Sequence, residues 1–309
     1  MPVSLDAFFV VDKPRGPTSH DVVARLRRAS GVKRIGHAGT LDPMATGVLL
    51  VAVGRATRLI EYLADAEKGY LADITFGIET DTYDAEGKVV TQLDASGLTR
   101  EAVEGALAPL RGTIQQRAPA YSAISVGGQR LYDLARKGQV VVAPVRTVEI
   151  SRLELETWQP PVAQVRVECS KGTYIRSLAH DLGDALGTGA HLSGLVRTRI
   201  GDFHLDRAVS LADLEARLRE DRWQDVAVSP EVALAHLPLV QLDDAGAARL
   251  GHGLSVRLNA GHSQAAGTLA RAMGPDGRLL ATVRIDDVDG ERVCRPEKVF
   301  VTASGPAAT

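Results

Sequence analysis

One unbroken apolar run, Val48-Leu-Leu-Val-Ala-Val53, stands between Gly47 and Gly54 and limits the folds open to this chain. A short segment with no polar face, bounded by glycines, reads as a fully buried strand. Directly before it lies Gly36-His-Ala-Gly-Thr-Leu-Asp-Pro-Met-Ala-Thr-Gly47, a turn of Gly, Thr and Pro that carries one acidic residue, Asp42. The strand holds this turn rigidly at a sheet end, where functional groups tend to sit, so Asp42 is the first candidate for a chemical centre. An Asx-type turn, whose carboxylate bonds only local backbone N–H groups, would also account for a lone Asp-Pro.

Around that strand the periodicity alternates between helix and sheet. Thr18 or Ser19 can cap a helix carrying Val22, Val23, Leu26 and Ala29 on one face, and Gly31 stops it. Ala56, Leu59, Ile60 and Leu63 repeat at helical spacing. Tyr70, Ala72, Ile74 and Phe76 alternate with Leu71, Asp73 and Thr75 in a half-buried strand, as Val165, Val167 and Cys169 do with Gln164, Arg166 and Glu168. Thr99 starts a helix through Val103, Ala106, Leu107 and Leu110. Beyond Pro238, strand-like pieces at 254–258, 267–270, 279–285 and 298–301 are separated by Gly, Asn and Asp turns, which predicts a small β-rich module after a linker at 233–238. The 309 residues suffice for one large domain and one small one, of mixed α and β class.

Composition narrows the chemistry. Cys169 and Cys294 are the only cysteines and belong to no C-x-x-C or Cys/His cluster, so neither a disulfide framework nor a zinc site is expected. No apolar segment approaches the roughly 20 residues of a membrane helix and no signal peptide is evident, so the expectation is a cytoplasmic protein. The net charge of −2 argues against a protein that coats nucleic acid nonspecifically. Charge is nevertheless clustered: Arg25, Arg27, Arg28, Lys33 and Arg34 crowd the approach to Asp42, and Arg111, Arg117, Arg130, Arg136, Lys137 and Arg146 gather further on. That asymmetry suits a polyanion bound at one face, and solvated helix surfaces would also explain it.

Two residues stand beside Asp42. Cys169-Ser-Lys-Gly-Thr-Tyr-Ile-Arg176 runs from a strand through a Gly turn into a helix, which places Arg176 in the first helical turn, where it opposes the helix dipole and asks for a compensating anion. If Asp42 is that anion, the pair keeps the carboxylate ionised, as a nucleophile requires; a solvated Arg would tolerate the small cost. Tyr70 opens its strand on the buried side, where it is a core residue or a ring that stacks on a single base. With 4% aromatics, an extended stacking platform is not expected.

Read together, these segments resemble the TruB family of bacterial tRNA pseudouridine synthases, which convert uridine 55 in the T loop. The resemblance rests on Val11-Asp-Lys-Pro-Arg-Gly-Pro-Thr-Ser19, Gly36-His-Ala-Gly-Thr-Leu-Asp-Pro43, Lys68-Gly-Tyr70, Thr80-Asp-Thr-Tyr-Asp84, Pro119-Ala-Tyr-Ser122, Ser170-Lys-Gly-Thr-Tyr-Ile-Arg176 and Ala190-His-Leu-Ser-Gly-Leu195. It covers most of the first 200 residues, and Gly69 stands where family members often carry a bulkier residue. The resemblance implies an α+β catalytic domain over 1–235, with a central mixed, largely antiparallel sheet flanked by helices and loops. It further implies a thumb-like RNA-binding insertion at 118–146, a PUA-like domain at 238–303 and a tail at 304–309.

By the same resemblance Asp42 is the catalytic aspartate, Tyr70 stacks on the target uracil, Arg176 partners the carboxylate and Leu195 lines the pocket. His37 would be a wedge filling the space of the extruded nucleotide, Lys13 would support the site's backbone or contact RNA, and Arg136 and Lys137 would belong to the thumb. The implied partner is tRNA, gripped at T loop and acceptor stem, with no obligate protein partner, no membrane and a monomeric state. The isomerisation breaks a C–N glycosidic bond and reattaches the same uracil through carbon, so no cofactor and no metal is expected. Competing readings are an RNA-guided pseudouridine synthase subunit, a tRNA-binding or folding factor without catalysis, and a glycosidase, the last disfavoured because no second carboxylate sits in a comparable turn.

Overall fold

The computed structural model describes residues 5–119, 121, 125–126, 129–130, 143–258 and 263–300. The chain begins with β1 (Ala7–Lys13), α1 (Ser19–Ser30), β2 (Ile35–His37) and β3 (Thr46–Val53), and β3 is the apolar run. A 3-10 turn over Gly54–Leu59 leads through α2 (Ile60–Ala64) into β4 (Lys68–Phe76) and the hairpin of β5 (Ile78–Thr80) and β6 (Val89–Gln92). Next come α3 (Arg100–Leu107), β7 (Gly112–Arg117) and a two-stranded ladder of β8 (Ser125–Val126) and β9 (Gln129–Arg130). The long β10 (Val145–Gln159) turns into β11 (Val162–Cys169), followed by α4 (Ile175–Ala185) and β12 (Ala190–Ile200). Then follow β13 (Phe203–His204), β14 (Val209–Ser210), α5 (Leu211–Arg219) and α6 (Pro230–Ala233). The C-terminal part comprises β15 (Leu239–Gln241), α7 (Asp244–Gly251), β16 (Val256–Arg257), β17 (Leu269–Met273), β18 (Leu279–Val288) and β19 (Glu291–Val299).

Ten of these strands form one sheet, ordered β14-β1-β3-β12-β4-β11-β10-β7 with β2 on β3 and β13 on β12. Only the β1–β14 and β3–β12 pairs run parallel, so the sheet is mixed and largely antiparallel, as expected. A second sheet, β15-β17-β18-β19-β16, makes the β-rich C-terminal part. The two share a core: Phe8, Val48 and Leu50 lie in one buried cluster with Met273, Leu279 and Phe300. Ala233 and Leu234, inside the expected linker, are buried in it as well. Arg58 Nη1 donates to the Val299 carbonyl at 2.8 Å and Tyr62 Oη meets Thr282 Oγ1 at 2.9 Å, which ties the second sheet to the α2 segment.

Local chemistry explains the elements the sequence announced. Thr18 caps α1 in a reciprocal box with Asp21, and Gly31 closes it in the left-handed conformation at φ 69°. Ser19, the other candidate cap, is buried and its hydroxyl exchanges hydrogen bonds with the backbone of Leu41 at 2.8 and 3.0 Å, anchoring the Asp42 turn to α1. The helix expected through Leu110 ends at Leu107, because Pro109 turns the last residues into a 3-10 turn. The 56–63 periodicity divides between the 3-10 turn and α2, and Ala56, Leu59 and Leu63 are still buried.

In the C-terminal part the strand expected at 298–301 overlaps β19 only at Lys298 and Val299; β19 already begins at Glu291, and alternating charges between 291 and 298 concealed it. The piece expected at 267–270 is β17, shifted to Leu269–Met273. The expected tail and most of the expected thumb, including Arg136 and Lys137, lie outside the described residues.

Gly47 shows how closely β3 and β12 approach. Its φ is 94°, and a Cβ built there would stand 2.3 Å from the Arg197 carbonyl oxygen. Gly47→Ala is therefore expected to destabilise the fold by about 3 kcal/mol, since backbone strain and a backbone clash add. Chemical denaturation of purified variant and parent measures it, and a change below about 0.5 kcal/mol would contradict the close approach.

Candidate active site

Register across the large sheet assembles the site. Lys13 on β1 pairs with Gly47 on β3, Gly47 with Arg197 on β12, and Arg197 with Tyr70 on β4. These residues therefore form one row running across four strands, and the Asp42 turn leads directly into β3, one of the row's inner strands. The row borders a cleft of about 440 Å³, lined among others by Thr40, Leu41, Asp42, Lys68, Tyr70, Tyr121, Arg176, Leu195 and Arg197.

Arg176 sits at the second position of α4 and is buried, which rules out the solvated arrangement the sequence left open. Its Nε meets Asp42 Oδ2 at 3.0 Å and its Nη1 lies 3.5 Å from Asp84 Oδ2. Nη1 also donates to the Thr82 carbonyl at 3.2 Å and Nη2 to that of Tyr121 at 3.1 Å. The guanidinium is thus fixed in plane, and the unfavourable position near a helix N-terminus is offset by two carboxylates. Asp42 keeps 36% of its side chain exposed against 8% for Arg176, so one partner is fixed while the other reaches the cleft.

Two buried lysines and a second arginine hold the frame. Lys13 Nζ donates to the carbonyls of Pro14, Pro43 and Ala45 at 3.1, 3.3 and 2.7 Å, which sets the turn just beyond Asp42. Burial pulls its pKa down to about 8, against the pull of Asp42. Of the two roles open to Lys13, this geometry serves backbone support. Lys68 Nζ donates to Ala64 and Ala66 carbonyls at 2.9 and 2.7 Å, and burial likewise lowers it to about 8. Arg197 Nε donates to Val48, Nη1 to Thr40 and Nη2 to Gly39, at 2.7, 3.2 and 3.1 Å. A net cationic lining around one reachable carboxylate favours a polyanionic substrate.

Tyr70 and Leu195 both face the cleft from neighbouring strands. Burial pushes the Tyr70 phenol upward, so it is held protonated and is a poor base as it stands. His37 ends β2, and its ring meets that of His20 edge to face at 5.5 Å. Burial, reinforced by His20 and Arg197, lowers its pKa to about 4. Because the folded state holds this imidazole neutral while the unfolded chain protonates it at 6.5, it imposes no cost above pH 6.5. The cost grows as pH falls from 6.5 to 4 and stays level below. His37→Phe should accordingly lose about 2 kcal/mol less stability than the parent between pH 7 and 4. Denaturant titrations at both pH values measure this, and parallel losses in the two proteins would contradict it.

Of the residues that sequence reasoning named, Asp42, Tyr70, Arg176 and Leu195 line one cleft, Lys13 and His37 are not among its lining, and Arg136 and Lys137 lie outside the described residues. It missed Arg197, Asp84, Lys68 and Tyr121 as site residues. Arg197 carried a usable signal: it falls in phase with Leu195 on the buried side of β12, where a charged residue needs a structural reason. The basic crowd before Asp42 is partly structural, since Arg25 is bidentate to Glu215 at 2.6 and 2.8 Å and Arg27 bonds the Ile35 carbonyl. Gly69 leaves room for Arg199, whose Cγ would stand 2.8 Å from an added Cβ. Among the described residues no helix is long and apolar enough to cross a membrane.

Comparison with known proteins meets this geometry. Residues 27–175 match the family model "TruB family pseudouridylate synthase (N terminal domain)", and residues 176–236 match "tRNA pseudouridylate synthase B C-terminal domain". The chain is 53% identical to tRNA pseudouridine synthase B of Symbiobacterium thermophilum, over 79% of this chain and 80% of that protein. With tRNA pseudouridine synthase B of Dehalococcoides mccartyi it shares 43% identity over 97% of this chain and 98% of the relative. A solved Cbf5-Nop10-Gar1 complex contains a chain of similar fold, with a TM-score of 0.74 and 30% identity over 96% of this chain and 85% of the other. Identity at this level over so much of both partners leaves one conclusion: the chain belongs to the TruB family of pseudouridylate synthases.

Proposed function

We propose that this protein is a standalone tRNA pseudouridine synthase that isomerises uridine 55 in the T loop, with Asp42 as nucleophile. The observation that carries the reading is the Asp42–Arg176 pair at 3.0 Å, with the carboxylate open to a cleft walled by Tyr70 and Leu195. An ionised carboxylate attacks C6 of the uracil or C1′ of the ribose; in either route the C1′–N1 bond breaks, the base turns in place, C5 bonds to C1′, the carboxylate is released, the C5 proton leaves to a base and N1 takes up a proton. The detached uracil must be retained meanwhile, and Tyr70 and Leu195 supply walls for it. Flipping the nucleotide out of its loop costs a few kcal/mol, offset by contacts to RNA from the cationic lining and from residues 118–146, including Arg136 and Lys137. His37 takes the space the nucleotide vacates, and its low pKa suits a neutral wedge. The catalytic unit then spans 1–235, and residues 238–303 form a PUA-like unit that grips the acceptor stem. The protein works as a cytoplasmic monomer.

Relatives named tRNA pseudouridine synthase B, alike over most of their length, support the standalone reading. The similarity to a chain of the Cbf5-Nop10-Gar1 complex favours a second reading, a subunit directed by guide RNA. Incubating purified protein with unmodified tRNA transcript and mapping pseudouridine at single-nucleotide resolution separates them. Conversion at uridine 55 by protein alone is expected. Conversion only after guide RNA and partner proteins are added would favour the second reading, and tRNA binding without conversion would favour a folding factor.

A further inference from the structure

Tyr83 lies between two residues that hold Arg176, the Thr82 carbonyl and the Asp84 carboxylate. Its φ is 62°, in the left-handed region that bulky side chains rarely adopt. Such a backbone persists only where the surroundings over-determine it. The ring does not join its neighbours at Arg176: it lies flat on the imidazole of His180, with centroids 3.9 Å apart and planes 7° from parallel. His180 is four residues along α4 from Arg176, and therefore one turn away on the same side of the helix. Carboxylate oxygens of Glu79 and Asp184 stand 3.4 and 3.5 Å from the two ring nitrogens, Nδ1 making no hydrogen bond among the described residues. The Tyr83 backbone is held too, its N–H on the Thr80 carbonyl at 3.1 Å and its carbonyl on the Leu192 N–H at 3.0 Å.

We infer that the Tyr83–His180 stack is a positioning device that locks the 82–84 turn against α4, so that Thr82 and Asp84 hold Arg176 in line with Asp42. Three contacts then join the same two elements: the ring stack, the Thr82 carbonyl on Arg176 Nη1 and the Asp84 carboxylate beside it. The stack keeps the left-handed turn from relaxing, and the turn keeps the guanidinium from swinging away. Neither Tyr83 nor His180 is among the residues lining the cleft. The inference rests on the catalytic reading of Asp42 and Arg176 given above.

The test uses the full chain and two readouts. Tyr83→Gly removes the ring while adopting positive φ without strain, so its effect reports the stack rather than a distorted backbone. Tyr83→Phe and His180→Phe retain a stacked pair. In protein labelled with ¹⁵N-arginine, the Arg176 Nε–H, identified by its loss in Arg176→Lys, should exchange with solvent about tenfold faster in Tyr83→Gly and within about twofold of the parent in the Phe variants. Single-turnover pseudouridine formation should slow about tenfold in Tyr83→Gly with the Kd for tRNA unchanged, and Tyr83→Gly combined with His180→Ala should be no slower than the worse single variant. Unchanged exchange in Tyr83→Gly, or additive losses in the double variant, would overturn the inference. A parent protein that forms no pseudouridine would overturn the catalytic reading instead, while the exchange measurement would still decide the stack.

Discussion

Asp42→Asn is expected to lower single-turnover pseudouridine formation by at least about 10⁴-fold, because the neutral amide is isosteric but offers no nucleophilic oxygen and no charge to Arg176. Binding of tRNA should persist within about threefold, since one partly exposed carboxylate adds little to an interface dominated by phosphate contacts. The Asp42 turn is also fixed independently of its carboxylate: Ser19 holds Leu41, and Lys13 holds Pro43 and Ala45. The variant should therefore fold. Rapid-quench assays with a radiolabelled transcript, together with filter binding, give both quantities. Loss of rate and binding in equal measure would mean that Asp42 serves RNA recognition or structure rather than bond breaking.

Arg176→Met should be the most damaging change to stability and should lower the rate as well. Removing the guanidinium leaves Asp84, buried at 4% exposure, without its cation, and strands the carbonyls of Thr82 and Tyr121. Breaking a buried pair from one side typically costs about 3–5 kcal/mol, much of it the desolvation of the charge left behind. Activity should fall about 10²–10³-fold as Asp42 loses the partner that orients it. Adding Asp84→Asn to Arg176→Met should recover part of the stability and none of the activity. Denaturant titrations and single-turnover rates of the two variants separate these effects. Full recovery of rate in the double variant would show that Arg176 acts only by neutralising Asp84.

The parts legible from sequence were those where a local pattern and its physical demand coincide. The run at 48–53 had nowhere to go but a sheet interior, Gly31 and Thr18 marked both ends of α1, and period-two alternation placed Tyr70 correctly on the buried side of β4. Arg176 was legible because its place near a helix N-terminus called for an anion. Arg197 and Lys68 escaped because their demands are met by backbone carbonyls remote or unremarkable in sequence, and no pattern of residue types reveals an acceptor that every residue possesses. The role of Asp84 depended on a left-handed residue at 83, and the amino acid there, tyrosine, gives no hint of that conformation. In β19 the alternation was visible only on one side, where Cys294 faces inward among charged neighbours.

The row from Lys13 through Gly47 and Arg197 to Tyr70 sets an order on biosynthesis. β1, β3 and β4 all lie before residue 77, whereas β12, which lies between β3 and β4, is made last of the four. A nascent chain shorter than about residue 200 carries Asp42 and Tyr70 yet has no strand to bring them side by side. Translation thus delays competence until the middle strand slots in, and RNA near the ribosome meets either an inert fragment or a finished enzyme.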